Sequence, residues 1–153
     1  MRTIIVGPAF PLRGGIANLN ESLCRAFLAN GIESEIVSFT LQYPEFLFPG
    51  KTQFDETGKH PEGIKVTELI NSINPFTWQK TSQYILKQKP DFVVLRFWLP
   101  FMAPALGTIA KKLRKKGVKV IAITDNVIPH ESKPGDKLLT KYFLKQCHAF
   151  VAM

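Results

Sequence analysis

Cysteine is scarce. Cys24 and Cys147 are the only two in 153 residues, too few for a disulfide framework and at no metal-ligand spacing. No apolar run reaches 18 residues, so no segment reads as a membrane-spanning helix. No signal-peptide pattern precedes the first strand-like run. These absences favour a reducing, intracellular setting. Two phosphate-binding fingerprints, G-x-G-x-x-G and G-x-x-x-x-G-K-[ST], are also missing. Acidic residues are few, 12 against 20 basic, which leaves a net charge of +8. An acidic partner fits that balance: a nucleotide, a lipid phosphate, a membrane surface or nucleic acid. Solubility alone also accounts for it. With 45% hydrophobic and 21% charged residues the composition excludes wholesale disorder, and the length suits one domain with a good core.

The most informative stretch is at the front, residues 3–31. Thr3 to Val6 is a β-branched run, as in a strand buried on both faces. Gly7 and Pro8 end it, and a loop from Pro11 closes on Gly14-Gly15. From Ile16 the apolar residues Ile16, Leu19, Leu23, Ala26 and Phe27 follow a helical period, and Gly31 stands where a left-handed C′ residue is wanted. A glycine pair opening a helix lets a ligand approach backbone N–H groups at the positive end of the helix. That suits a phosphate or another anion, and Arg13 adds a full charge beside it. A tight strand-to-helix turn needing glycine for its own sake explains the pair equally well.

Ser34 to Phe39 predicts a second strand. Residues 41–63 then hold three prolines and three glycines without a sustained period. A loop this long is a place to look for function, and it carries Tyr43, Phe46, Phe48 and Phe54. The rings either pin the excursion onto the core or line an acceptor or membrane-facing site. Ile64 to Ile70 predicts a third strand. Asn74-Pro75 opens a helix running to Lys89, and Asp91 to Trp98 predicts the next strand. Arg96 intrudes into that apolar strand near its carboxyl end, where it either binds an anion or pairs with a carboxylate such as Asp125. Pro100 to Lys116 is helical. Its terminal KKLRKKG favours the helix dipole, with Gly117 as cap, and a solvated basic run is the simpler reading of Lys111 to Lys116.

Val118 to Thr124 predicts a fifth strand. TDNVIPHE follows, placing Asp125, Asn126, His130 and Glu131 behind a strand's carboxyl end. A helix over Lys133 to Cys147 and a sixth strand from Ala149 complete the pattern. Strands alternating with helices call for a mainly parallel, Rossmann-like α/β sheet covered on both faces.

PLRGGIA, FLFPGKTQ and TDNVIPHE together resemble the N-terminal half of a family 4 glycosyltransferase of the GT-B type, with two Rossmann-like domains. The resemblance spans residues 1–153, and the long aromatic loop is similar to that of some bacterial members. It implies retaining transfer of a sugar from a nucleotide-sugar donor to a glycan or lipid-linked acceptor, in cell-envelope polysaccharide synthesis. It implies that Arg13, Gly14 and Gly15 reach the donor diphosphate, and that His130 lies near the transferred sugar. Arg96, Asp125, Asn126 and Glu131 are the further donor or acceptor contacts it points to. Neither metal nor cofactor is implied, since N–H groups and basic side chains carry the phosphate charge. The expected location is the cytoplasm, with contact at the inner membrane face. No nucleic-acid partner is expected.

The family's second domain holds most of the nucleotide site, including a Glu-x7-Glu motif. None of the 12 acidic residues here is paired at that spacing in a suitable helix–loop context. The expectation is therefore an acceptor-side domain whose donor-binding partner domain lies outside the chain. Two other classes stay open. One is a stand-alone flavodoxin- or receiver-like phosphate-binding module, disfavoured by Gly7-Pro8 where an acidic pair would follow the first strand. The other is a nucleic-acid or membrane-surface protein resting on the +8 charge, disfavoured by the lack of a groove-reading motif.

Overall fold

The computed structural model describes residues 1–47, 52–55, 60–125 and 133–153. The elements, in order, are β1 (Arg2–Val6), α1 (Gly15–Ala29), β2 (Glu33–Leu41), a 3₁₀ turn (Glu45–Leu47), β3 (Val66–Asn71), α2 (Pro75–Lys87), β4 (Phe92–Phe97), a second 3₁₀ turn (Pro100–Met102), α3 (Ala103–Lys115), β5 (Lys119–Thr124), α4 (Asp136–Leu144) and β6 (Ala149–Ala152). The six strands form one wholly parallel sheet in the order β3-β2-β1-β4-β5-β6. This is the Rossmann-like α/β fold that the alternating pattern predicts.

Local chemistry sets the element ends. Ile32 N–H donates to Phe27 O and Gly31 N–H to Leu28 O, a Schellman closure of α1 with Gly31 at φ 73°. Val118 and Gly117 close α3 in the same way, onto Leu113 and Arg114. At α2, Asn74 caps the helix through Oδ1, which accepts from Phe76 N–H at 3.1 Å, and Pro75 fills the first helical position. The last helix is shorter than its apolar period suggests. Gly135, at φ 95°, and the Asp136 carboxylate, which accepts from Lys133 N–H at 2.8 Å, start it at Asp136 rather than Lys133. The prolonged helix expected after Pro100 opens instead as a 3₁₀ turn.

The strands alternate between two unequal faces. Ile4, Val6, Val37, Phe39, Val93, Leu95 and Phe97 point to one side. There Ile85 of α2, Leu106 and Ile109 of α3 and Phe143 of α4 cover them in one large core. Phe97 and Phe143 stack at 4.4 Å between ring centroids. On the other side Ile5, Ile36 and Val94 form a small cluster with Ala9 and Cys24, under α1. No helix among the described residues is long and apolar enough to cross a membrane.

Candidate functional site at the carboxyl ends of the central strands

In this strand order the chain leaves β1 for β2 on one side and returns from β3 to β4 on the other. The carboxyl ends of β1 and β4 therefore flank a topological switch point, where open α/β sheets bind ligands. What lies there follows from how the β1–α1 loop is held.

Gly7 prolongs β1, its N–H donating to Val37 O at 3.1 Å. A Cβ on Gly7 would sit 2.6 Å from Asn20 Nδ2 and 2.9 Å from Arg96 Cβ. Glycine here is a packing requirement: it lets α1 and β4 close on the end of β1. The loop beyond is tied on several sides. Ala9 N–H donates to Ser38 Oγ (3.1 Å), Asn20 Nδ2 donates to Pro8 O (2.8 Å) and Phe10 N–H donates to Glu21 Oε1 (3.0 Å). Residues 52–55 cross the loop as a strap. Arg13 N–H donates to Gln53 O (2.9 Å), Asp55 N–H donates to Pro11 O (2.7 Å), and Leu12 bridges Phe54.

The loop ends at Gly14, φ 127° and ψ 167°, a region that is essentially reserved for glycine. Gly14 serves as N-cap of α1 with no side-chain cap, and the first turn holds no acidic residue. The opening N–H groups thus stand outside the helical ladder at the positive end of a 15-residue helix. Gly15 differs from Gly14. Its φ is not positive, and a Cβ built on it would meet nothing within 4 Å. The fold requires glycine at 14 and tolerates a side chain at 15. Glycine at 15 keeps open the space in front of the N–H groups. Arg13, Gly14 and Gly15 are all exposed together at this point.

Arg96 and Asp125 meet at the carboxyl ends of β4 and β5. Arg96 Nε donates to Asp125 Oδ2 at 2.5 Å, and Nη2 donates to Oδ1 in the same fork. The arginine side chain is 3% exposed and the carboxylate 18%. Of the two roles open to Arg96, pairing with Asp125 is the one found. Alternation along β4 places Arg96 on the α1 face, against Gly7. Asn126, His130 and Glu131 lie outside the described residues.

The aromatic excursion divides. Tyr43 is pinned: its hydroxyl accepts from Trp98 Nε1 at 2.5 Å, and its backbone N–H and C=O pair with the side-chain amide of Gln53 at 3.1 and 2.8 Å. Phe46 is 84% exposed and Phe54 43%. Phe48 lies outside the described residues. The basic run ends α3, at the opposite end of the strands from Gly14; Lys111, Arg114, Lys115 and Lys116 are exposed, and Arg114 donates to Lys145 O. Cys24 is buried, as its place in α1 suggests, and burial raises its thiol pKa. Burial pushes the Cys147 thiol up to about 12. No group of three or more metal-ligating side chains is gathered among the described residues.

Sequence reasoning missed Asn20, Asn18 and Gln53. Asn20 had a readable signal. It is an amide in the apolar stripe of α1, between Ile16 and Leu23, and it is fully buried. Its Nδ2 is satisfied while its Oδ1 has no hydrogen-bond partner.

No protein-family model matches the chain, and no curated protein matches it. Solved structures do, over nearly its whole length. MurG from Acinetobacter baumannii is 11% identical, with a TM-score of 0.60 over 99% of this chain and 40% of its own. An alpha-glucosyltransferase in complex with UDP and a 13-mer DNA is 14% identical, with a TM-score of 0.63 over 99% of this chain and 37% of its own. The UDP-GlcNAc 2-epimerase of Methanocaldococcus jannaschii is 13% identical, at 0.60 over 99% and 39%. The chain spans less than half the length of each of them. What it shares with them is its fold, a Rossmann-like parallel α/β domain that makes up part of each of these larger structures.

Proposed function

We propose that the chain is the acceptor-side domain of a retaining, family 4-type glycosyltransferase that uses a nucleotide-sugar donor. The observation that carries this reading is the open N-terminus of α1 at the switch point, with Gly15 unsubstituted where the fold does not ask for glycine. Unpaired N–H groups and Arg13 there suit a diphosphate, and fixed donors stabilise the charge that grows on a departing diphosphate. Solved structures of like fold that are named for UDP, or bound to it, add support.

The roles divide by position. Gly14, Gly15 and Arg13 hold the diphosphate. Arg96 is committed to Asp125, so it acts by fixing that carboxylate at the mouth of the crevice. His130 lies near the transferred sugar, with Asn126 and Glu131 as neighbouring contacts, as the resemblance implies. The nucleoside sits in a second domain, and the step needs neither metal nor cofactor. Contact with an anionic membrane surface belongs to α4, where Leu138 is 73% exposed between the exposed Lys137 and Lys141. Lipid-vesicle co-sedimentation that weakens with salt tests that contact.

The decisive experiment is titration of the 153-residue chain with UDP and UDP-sugars, followed by NMR. Backbone shifts are expected at Gly14, Gly15, Ile16 and Ala17, with a Kd of roughly millimolar because solvent-exposed pairing is weak. No sugar transfer is expected from this chain alone, because positioning of both substrates supplies most of the rate. Micromolar binding, or transfer by the chain alone, overturns the division between two domains. No response at Gly14 to Ala17 overturns the diphosphate site. In a longer protein carrying this domain, His130→Ala lowers turnover with folding intact; unchanged kinetics remove His130 from the site.

A further inference from the structure

A glycine pair does not order itself. Gly14 and Gly15 carry no Cβ, so the backbone leading into α1 has wide freedom of its own. On the helix side that freedom is removed, because the Gly14 carbonyl accepts from Asn18 N–H at 3.2 Å. On the loop side it has to be removed from outside. Residues 8–10 are anchored on β2 and α1, through Ser38, Asn20 and Glu21. Residues 11–13 are held differently. The Leu12 side chain is buried in the large core, but the backbones of Pro11 and Arg13 are bonded to the strap, at Asp55 N–H and Gln53 O. Among the described residues, the bond from Arg13 N–H to Gln53 O is the last backbone hydrogen bond ahead of Gly14.

The strap in turn is held through the Gln53 side chain. Its Oε1 accepts from Tyr43 N–H at 3.1 Å, and its Nε2 donates to Tyr43 O at 2.8 Å. This is the two-bond exchange of paired strand residues, made here by a side chain. A primary amide suits it, since one planar group carries both an acceptor and a donor, whereas an ionised carboxylate can only accept. Tyr43 is itself seated: its hydroxyl accepts from Trp98 Nε1, and the Trp98 ring meets the fully buried Phe39 edge-on, 6.0 Å between centroids. Thr52 differs from Gln53, because its hydroxyl is used inside the strap, accepting from Phe54 N–H at 3.1 Å. One line of contacts therefore runs from the core through Trp98, Tyr43 and Gln53 to Arg13, and ends one residue short of Gly14.

We propose that Gln53 is a positioning residue for the anion-binding end of α1: its side chain grips Tyr43 while its carbonyl holds Arg13 N–H, and together these ties set the direction of the N–H groups that Gly14 opens. This role rests on the diphosphate reading of that end, whereas the clasp is a property of the free chain. Gln53 acts without touching the ligand. It removes conformational freedom before binding, so the ligand does not have to order the loop itself.

The test sets Gln53→Ala and Gln53→Glu against Thr52→Ala in the 153-residue chain. Amide hydrogen exchange is measured without ligand, UDP is titrated by NMR, and urea denaturation reports the fold. Gln53 is half-buried, so water replaces the lost bonds and the urea midpoint is expected to stay close to that of the parent. Arg13 N–H is expected to exchange about tenfold faster in both Gln53 variants, and UDP to bind about tenfold more weakly. Thr52→Ala is expected to change neither. Parent-like exchange at Arg13, an unchanged UDP affinity in the Gln53 variants, an equal loss in Thr52→Ala, or global unfolding of both Gln53 variants overturns the proposal. The two readings fail in distinguishable ways. If UDP shifts nothing at Gly14 to Ala17 in the parent chain, the diphosphate site falls and the role of Gln53 falls with it, even where exchange shows the clasp. UDP shifts in the parent that both Gln53 variants keep in full leave the diphosphate site and remove Gln53 from it.

Discussion

The two faces of the sheet are built on different principles. Under α2, α3 and α4 the interior is apolar and continuous, with Phe97 stacked on Phe143 and Leu106, Ile109 and Leu113 fully buried. Under α1 the apolar cluster is small, and polar groups take over towards the carboxyl ends of the strands: Asn20, the Arg96–Asp125 fork and the tied loop of residues 8–13. One face holds the domain together, and the other carries the rim where the proposed site lies. Hydrophobic burial scales with area and is indifferent to direction. Hydrogen bonds and ion pairs contribute less net energy but fix geometry. The division predicts that damage to one face registers as lost stability, and damage to the rim of the other as lost binding.

The largest effect is expected on the three-helix face. Phe143→Ala removes a fully buried ring from its stack on Phe97 and leaves a cavity, costing about 3–5 kcal/mol. Urea denaturation measures it. UDP shifts in the folded fraction remain as in the parent chain. A change in those shifts would mean that the large core and the α1 rim are one unit.

Next comes the ion pair at the mouth of the crevice. Asp125→Ala strands a guanidinium that is 3% exposed, and removing one partner of a buried pair costs about 3–5 kcal/mol. The pair itself contributes little net stability, since its desolvation offsets much of its attraction. Hence the double variant Arg96→Met with Asp125→Leu recovers most of the loss. Failure of the double variant would show that the fork itself, rather than the stranded charge, sustains this end of the sheet. Arg96 illustrates what a sequence shows and what it leaves open. An arginine inside DFVVLRFW is visible as an intrusion, and Asp125 as its natural partner. The elements were equally visible, because β-branched runs and helix-ending glycines act over a few residues. The strap was not. Tyr43 meets Trp98 across 55 positions, and Gln53 clasps Tyr43 across ten, inside a stretch with no period. Gly7 reads locally as a strand ender. Its reason is the approach of Asn20 and Arg96, which only the folded chain brings together.

The glycine pair sharpens the comparison at single-residue scale. Gly14→Ala forces a side chain into φ 127°, ψ 167°, costing about 1–3 kcal/mol of stability. Gly15→Val meets open space, so stability stays within about 0.5 kcal/mol while the new side chain blocks approach to the N–H groups. UDP shifts at Ile16 and Ala17 are then lost. Equal stability losses at both glycines would make the pair a turn device and nothing more.

Arg13 is expected to matter least, and the reason bears on what the site is made of. Two sources of positive potential meet before α1: an exposed guanidinium on a long side chain and the N–H groups of the first turn. An exposed charge pairs weakly, because water screens it and the long side chain loses rotamer freedom on binding. Fixed N–H groups lose none, and the Gly14 backbone already aims them. Arg13→Gln should therefore weaken UDP no more than about fivefold, by NMR titration at low salt. The difference from the parent chain should shrink further as ionic strength rises and the Debye length falls to about 8 Å or less. Gly15→Val should abolish the shifts at any salt concentration. If instead Arg13→Gln removes binding while Gly15→Val is tolerated, the anion is held by a surface charge, and the unpaired end of α1 has no part in it.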